Sequence, residues 1–140
     1  MTAAASAPPC PPIAPGLFTD EAPMRLIGGQ HRTSGRIVFP CPPGADWQPR
    51  PLAREGRLWS YTIQRFRPKT PPYAGPEAFV PFVVAYVELP GEVIVEARLT
   101  GVAFEAVHIG MALELAPVPL DPDAPASVLI PAFQPAGAAQ

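Results

Sequence analysis

The densest apolar stretch of the chain runs from Val80 to Leu89 and ends at Pro90-Gly91. Its β-branched and aromatic residues, its length of about ten residues and the Pro-Gly stop predict a β-strand. Both sets of alternating positions are apolar, so both faces of this strand need cover. Such a strand lies in the middle of a sheet, or in a closed barrel whose outside is itself packed against something.

Four further segments alternate between apolar and polar positions as half-buried strands do. They are residues 58–65, residues 93–99 after the tight Pro-Gly turn, residues 107–115, and residues 127–133 after a Pro/Asp loop. Gly110 offers a position without a side chain where a barrel strand can bend sharply. The inward-facing positions of these strands predict a core of Trp59, Ile63, Val83, Val87, Val95, Leu99, Ile109, Met111 and Leu113.

Five short antiparallel strands predict an all-β fold. The 23 prolines make long helices improbable, because each one removes a backbone donor and fixes φ. The pattern matches the OB-fold, a five-stranded, partly open Greek-key barrel, and an SH3-like barrel is the competing architecture. We assign residues 55–134 to the barrel and residues 135–140 to a tail.

The first third of the chain is less regular. Residues 1–16 are Ala/Pro low complexity, which predicts a disordered leader. Residues 17–54 form the next segment. Its first part, residues 17–40, holds short apolar pieces on either side of a polar turn that contains Gly28-Gly29 and Ser34-Gly35, the outline of a tight hairpin. The Pro-rich connector that follows, from Cys41 to Arg54, carries Trp47, which we expect to pin it to the barrel.

Charge is sparse, with a net value of −2 and 16% charged residues. This argues against the electrostatic footprint of a phosphate-backbone binder and weakly suggests that a partner covers part of the surface. The start of the chain has neither a basic nor an apolar signal region, and Cys10 and Cys41 lie among prolines, so we expect a reduced, cytoplasmic protein. No run approaches the roughly 20 apolar residues that cross a bilayer, so no membrane insertion is expected.

Five short pieces stand out by their order and spacing: Leu26-Ile27-Gly28, Gly35 with Phe39-Pro40, Gly56 to Thr62, Pro81 to Leu89, and Ile109 to Glu114. Taken together, they resemble the DUF35 family, which joins a rubredoxin-like zinc ribbon to a C-terminal OB-fold. The resemblance covers about residues 17–134. It implies a non-catalytic accessory subunit that binds a thiolase-like enzyme, a MaoC-type enoyl-CoA hydratase or an aldolase and helps to handle acyl-CoA.

The zinc ligands that the resemblance implies are incomplete. The family's ribbon carries C-x-x-C-G and C-P-x-C, but the corresponding positions here offer only His31 and Cys41, with Ser34 and Gly44 in place of the other two ligands. A structural zinc site needs four ligands, and two contribute too little to hold the ion. We therefore expect a degenerate zinc-ribbon-like segment without zinc, unless Cys10 or a partner chain supplies the missing ligands.

Catalytic constellations are absent from the sequence. The chain has two histidines, of which His31 falls in the degenerate knuckle and His108 on the outward parity of its strand. There is no nucleophile elbow, dinucleotide fingerprint or P-loop. The carboxylates that could pair for acid–base catalysis are expected to be exposed to solvent. An independent enzyme is therefore not expected, and the residues set aside on this ground are Glu88, Glu92, Glu96 and Glu114.

One basic cluster contains an aromatic residue, in the segment from Arg65 to Lys69. The cations Arg65, Arg67 and Lys69 could hold the phosphates of a CoA thioester, with Phe66 anchoring the segment to the barrel. OB-folds also bind single-stranded nucleic acid through such grooves, so a nucleic-acid module remains the alternative function. A solvated loop without ligand is the third interpretation.

Overall fold

The computed structural model describes residues 11–20, 22–66, 79–121, 123 and 127–137. These residues are nearly all-β, as predicted, and none of their helices is long and apolar enough to cross a membrane. A short 3₁₀ helix spans Phe104–Ala106. The strands are β1 (Ile27–His31), β2 (Ile37–Val38), β3 (Trp47–Pro51), β4 (Glu55–Gln64), β5 (Phe82–Leu89), β6 (Val93–Leu99), β7 (Ala112–Leu115), β8 (Val118–Pro119), β9 (Leu129–Ile130) and β10 (Ala132–Pro135).

Five strands close into a barrel in the order β10-β6-β5-β4-β7. All neighbours in it are antiparallel except β6 and β10, which run parallel. The tight turn after β5 is the one predicted: Gly91 has a φ of +75°, and the Glu92 amide donates to the Leu89 carbonyl at 2.9 Å. The five-stranded barrel confirms the predicted OB-fold class.

One hydrophobic core runs through the barrel and past its end. The inward face of β5 is fully buried, and so is most of the inward face of β6, as predicted. Leu26 and Leu52, which flank the small N-terminal sheet, belong to the same buried cluster and have no exposed surface. The predicted core residues that are buried are Val83, Val87, Val95, Leu99, Met111 and Leu113, and Ile63 packs against them while half-buried.

Trp59 was predicted in the core, and this prediction is wrong. The side chain is 56% exposed, whereas the preceding Leu58 is 1% exposed. The cause is a β-bulge: Leu58 pairs with Val87 and Ser60 with Tyr86, so Trp59 is the extra residue. A bulge shifts the alternation of side chains by one, so Leu58 and Tyr61 face inward and the two residues between them, Trp59 and Ser60, face outward.

Ile109 was also predicted in the core, within a continuous strand from 107 to 115, and it is 65% exposed. The strand is only Ala112–Leu115. Before it, the chain turns at Gly110, which has a φ of +94°, and the Met111 amide donates to the His108 carbonyl at 3.2 Å. Val107 and Met111 therefore both reach the core with a turn between them, so the alternation of period two does not apply there.

The last predicted strand, residues 127–133, is divided. Leu129–Ile130 pairs with Val118–Pro119 in a separate two-stranded sheet, and Ala132–Pro135 completes the barrel. Of the predicted leader 1–16, residues 1–10 lie outside the described residues. The remainder departs from the prediction, since the Leu129 amide donates to the Pro11 carbonyl at 2.6 Å and the Ile13 amide to the Leu129 carbonyl at 2.9 Å.

The N-terminal segment forms a three-stranded antiparallel sheet in the order β2-β1-β3. The predicted hairpin is confirmed, but the predicted connector contributes β3, and Gly28-Gly29 lies in β1 instead of in the turn. A Cβ atom on Gly28 would lie 2.6 Å from the Val38 carbonyl oxygen. Gly28 is therefore required by close packing against β2, and Gly29 by close packing against Cys41 and Pro42. Gly35, with a φ of +78°, serves the turn.

A polar junction joins this sheet to the hairpin between β5 and β6. The Glu92 carboxylate accepts the Ala53 amide at 2.9 Å and forms an ion pair with Arg50 at 3.4 Å. Arg50 also donates to the Gln30 side chain at 3.1 Å. Glu92 thus has a structural role and is not the free surface carboxylate that the sequence indicated.

Candidate functional site

A groove of about 590 Å³ lies on the outer face of β5 and β6. Its floor is the outward row of each strand, because the inward rows fill the core. Its lining also includes the two residues after β2 and the end of β9 with the residue that follows it, so three parts of the fold converge there. The residues that line it include Phe39, Pro40, Phe82, Val84, Tyr86, Ile94, Glu96, Arg98, Ile130 and Pro131.

Arg98 is the cation of this groove. Its guanidinium carbon lies 3.6 Å from the centroid of the Phe82 ring, a close cation–π stack. The Phe82 ring in turn lies 5.9 Å from that of Phe79. No described residue forms an ion pair with Arg98, since the ion pair within the described ranges joins Arg50 and Glu92. An aromatic and aliphatic surface with one guanidinium suits a ligand with an apolar body and an anionic group.

This groove is not among the sites predicted from the sequence. The sequence feature that points to it is the strand from Val80 to Leu89, in which both sets of alternating positions are apolar. This pattern predicted that both faces of the strand need cover. The outward residues Phe82, Val84 and Tyr86 are half-buried, so the cover from the rest of the chain is incomplete. Arg98 lies on the outward face of β6, and its stacking on Phe82 depends on the pairing of β5 with β6.

The structure describes only part of the predicted CoA-phosphate cluster. Arg65 lies just after β4, with its guanidinium carbon 5.8 Å from the centroid of the Phe104 ring. Arg67 and Lys69 lie outside the described residues. Phe66 is 80% exposed, so the prediction that it anchors this segment to the barrel is wrong.

The remaining polar candidates make local contacts. His108 is exposed, as predicted, and its Nδ1 lies 3.0 Å from the Ala106 carbonyl oxygen. Glu114 on β7 accepts hydrogen bonds from the Gln134 side chain at 2.8 Å and the Gly137 amide at 3.3 Å. These contacts lower the pKa of Glu114 below its ordinary value of 4.5. The hydrogen bond from Gln134 contributes most, and the bond from Gly137 and the charge of Arg54 contribute less. This carboxyl is thus ionised at neutral pH and unsuited to act as an acid.

The two residual metal-ligand positions have other partners. His31 Nδ1 accepts the amides of Thr33 and Ser34 at 3.4 and 3.2 Å. Cys41 is half-buried, and its Sγ lies 3.5 Å from the Pro42 carbonyl oxygen. Within the described part of the chain, no three His, Cys, Asp or Glu residues come together in a way that could hold a metal ion. The donor set therefore does not fit a structural zinc, which takes four ligands.

Comparisons with known proteins agree with this architecture. Residues 49–117 match the family model described as the C-terminal OB-fold domain of ChsH2. A solved structure titled "Ltp2-ChsH2(DUF35) aldolase" contains a similar chain, with 27% sequence identity and a TM-score of 0.62 over 80% of this chain and 85% of that chain. A search of curated proteins gave no match. The barrel is therefore an OB-fold, and the chain is similar to a DUF35 protein over most of its length.

Proposed function

We propose that this protein is a non-catalytic accessory subunit of an acyl-CoA-processing complex. The observation that carries the proposal is the similarity over most of both chains to a component of the Ltp2-ChsH2(DUF35) aldolase. An aldolase is accordingly the partner we favour over a thiolase-like enzyme or a MaoC-type hydratase. The contacts of the candidate polar residues agree with a non-catalytic role, because His31, Glu92 and Glu114 are each engaged in structural hydrogen bonds.

The alternative function, binding of single-stranded nucleic acid, has less support. A strand-tracking groove combines stacking aromatics with a line of cations. The groove on β5 and β6 offers aromatic rings, but among its described lining residues one cation, Arg98, is accompanied by an acid, Glu96. Arg65, which belongs to the basic cluster predicted from the sequence, has its guanidinium carbon 5.8 Å from the centroid of the Phe104 ring. This charge balance suits a ligand with few phosphates better than a polyanion.

The test is reconstitution with a purified aldolase of the Ltp2 type, with a thiolase and a MaoC-type hydratase in parallel. We expect the full chain alone to turn over no acyl-CoA, and a stable complex with one of these enzymes to turn over its acyl-CoA substrate faster than the enzyme alone. Failure to bind any of the three enzymes, together with micromolar or tighter binding of a single-stranded oligonucleotide, would favour the alternative.

Trp59 is the residue we expect to contact the catalytic subunit. It is a large aromatic side chain held outward by a bulge, and exposed tryptophans dominate many protein interfaces. Trp59→Ala should weaken the complex at least about ten-fold without lowering the melting temperature of the isolated chain. Ile13→Ala, which truncates another exposed apolar side chain outside both β4 and the groove, is the matched control and should leave the affinity unchanged. Equal effects of the two changes would contradict the assignment.

A further inference from the structure

We propose that a metal-free clip made of His31, Arg32 and Trp47 does in this chain what a zinc ion does in a zinc ribbon, which is to tie two turns together. The first turn, residues 31–36, connects β1 to β2, and the second, residues 41–46, leads into β3. In a four-ligand zinc site each turn supplies two ligands to one ion. Here the same two turns are joined by hydrogen bonds and ring packing.

His31 closes the first turn by accepting backbone amides. Its Nδ1 lies 3.4 Å from the Thr33 nitrogen and 3.2 Å from the Ser34 nitrogen, and the Gly35 amide donates to the His31 carbonyl at 2.9 Å. A neutral imidazole has one acceptor nitrogen with a single lone pair. Since the two amides use that lone pair, Nδ1 cannot bind a metal ion while the turn keeps this form.

Arg32 crosses from the first turn to the second. Its backbone amide donates to the Asp46 carbonyl at 2.9 Å, and its Nε donates to the Ala45 carbonyl at 2.7 Å. Beside it, the His31 ring packs edge-on against the Trp47 ring, with centroids 5.0 Å apart and planes at 80°. Edge-to-face ring pairs are favourable, and a charged donor gives a stronger hydrogen bond than a neutral one. The clip thus spans the gap that the ion would bridge.

The other three ligand positions are Ser34, Cys41 and Gly44. The first two make contacts within the fold, and the third has a backbone conformation that disfavours a cysteine. Cys41 packs on the Gly29 backbone so tightly that a Cβ atom on Gly29 would lie 2.9 Å from its Sγ. Ser34 Oγ accepts the Arg36 amide at 3.3 Å. Gly44 has a φ of +111°, a conformation that a cysteine would adopt only with strain. The loss of the metal is therefore built into both turns.

The first experiment uses the unmodified full chain. We expect purified protein to contain well under one zinc per chain and to melt at the same temperature with and without a strong chelator. In ¹⁵N NMR spectra at neutral pH, His31 should carry its proton on Nε2, because Nδ1 is the acceptor. Stoichiometric zinc whose removal lowers the melting temperature, or a His31 protonated on Nδ1, would overturn the proposal.

The second experiment separates the acceptor role of His31 from a ligand role. His31→Asn keeps a side-chain acceptor near the same amides, whereas His31→Ala removes it. Amide exchange at Thr33 and Ser34 should accelerate about five-fold or more in His31→Ala, as expected for the loss of a net hydrogen bond, and by less than about two-fold in His31→Asn. Equal acceleration in the two variants would overturn the acceptor role.

The third experiment tests the bridge. Arg32→Ala should lower the melting temperature measurably more than Arg36→Ala, which removes the same charge from an exposed position in the same turn. Equal melting temperatures would mean that Arg32 does not tie the turns together, and the clip would be rejected.

Discussion

At the scale of single residues, Trp59 and Ile109 were predicted in the core and face solvent. Substitutions at these two residues therefore test the bulge in β4 and the turn before β7. Val87→Ala and Leu113→Ala remove fully buried methyl groups and should each reduce the free energy of unfolding by about 2–4 kcal/mol. Trp59→Ala and Ile109→Ala should each cost less than about 0.5 kcal/mol, because surface changes rarely cost more. Urea unfolding of the four variants measures this. A loss at Trp59 as large as at Val87 would contradict the bulge.

A second residue-scale prediction concerns Glu114 and pH. Its hydrogen bonds from Gln134 and Gly137 lower its pKa in the folded state relative to the unfolded chain. A depressed carboxyl pKa stabilises the folded state fully above the unfolded value of 4.5, and this contribution disappears as the pH falls through the lower folded value. Glu114→Gln should therefore flatten the dependence of the melting temperature on pH below about 4.5. An unchanged acid profile would refute the assignment.

At the scale of elements, β4 can cross β5 closely only because it carries a glycine. A Cβ atom on Gly56 would lie 2.4 Å from the Glu88 carbonyl oxygen and 3.0 Å from the side chains of Val87 and Leu89. Since the nearest atom belongs to the backbone of the neighbouring strand, β5 itself would have to move. Gly56→Ala should cost about 3 kcal/mol of unfolding free energy, at the upper end of overpacking effects.

Thr62→Ala is the control for this crossing, because Thr62 lies exposed on the same strand and already has a Cβ atom. Its unfolding free energy should stay within about 1 kcal/mol of the wild-type value, as for most surface positions. If Gly56→Ala were as stable as Thr62→Ala, the strands would be farther apart than the structure indicates.

At the scale of the whole molecule, we predict that Arg65, Arg67 and Lys69 hold CoA phosphates in the assembled complex. Of the three, Arg65 lies within the described residues, and its side chain is exposed. The double change Arg65→Ala and Arg67→Ala should weaken the binding of acyl-CoA to the complex about ten-fold or more, because each charge-assisted bond contributes roughly 1.5–3 kcal/mol when shielded from water. Calorimetry on the intact complex gives the affinity.

The charge-preserving change of both arginines to lysine is the control for the CoA prediction. Lysine keeps the charge but loses the bidentate fork, so the expected loss is smaller than for alanine. The melting temperature of the barrel should be nearly the same in all these proteins. An acyl-CoA affinity that is the same with and without the arginines would make the segment a solvated loop and assign the ligand entirely to the partner.

The sequence by itself determined the features that depend on local pattern. The alternation in 82–89 and 93–99 predicted the buried faces of β5 and β6 correctly, and Pro90-Gly91 predicted the turn between them. The order of short motifs indicated the DUF35 family, and the incomplete ligand set at His31 and Cys41 was readable from residue types alone. These features could be predicted because side-chain alternation and turn chemistry act over a few neighbouring residues.

Only the tertiary structure decided the features that depend on which strands become neighbours. The bulge at Trp59 exists because β4 pairs with β5 on either side of one extra residue, and the turn at Ile109 lets both Val107 and Met111 reach one core. The groove around Arg98 and the clip from Arg32 to Ala45 likewise join residues from separate elements. Such contacts follow from strand register and chain crossing, which no local alternation encodes.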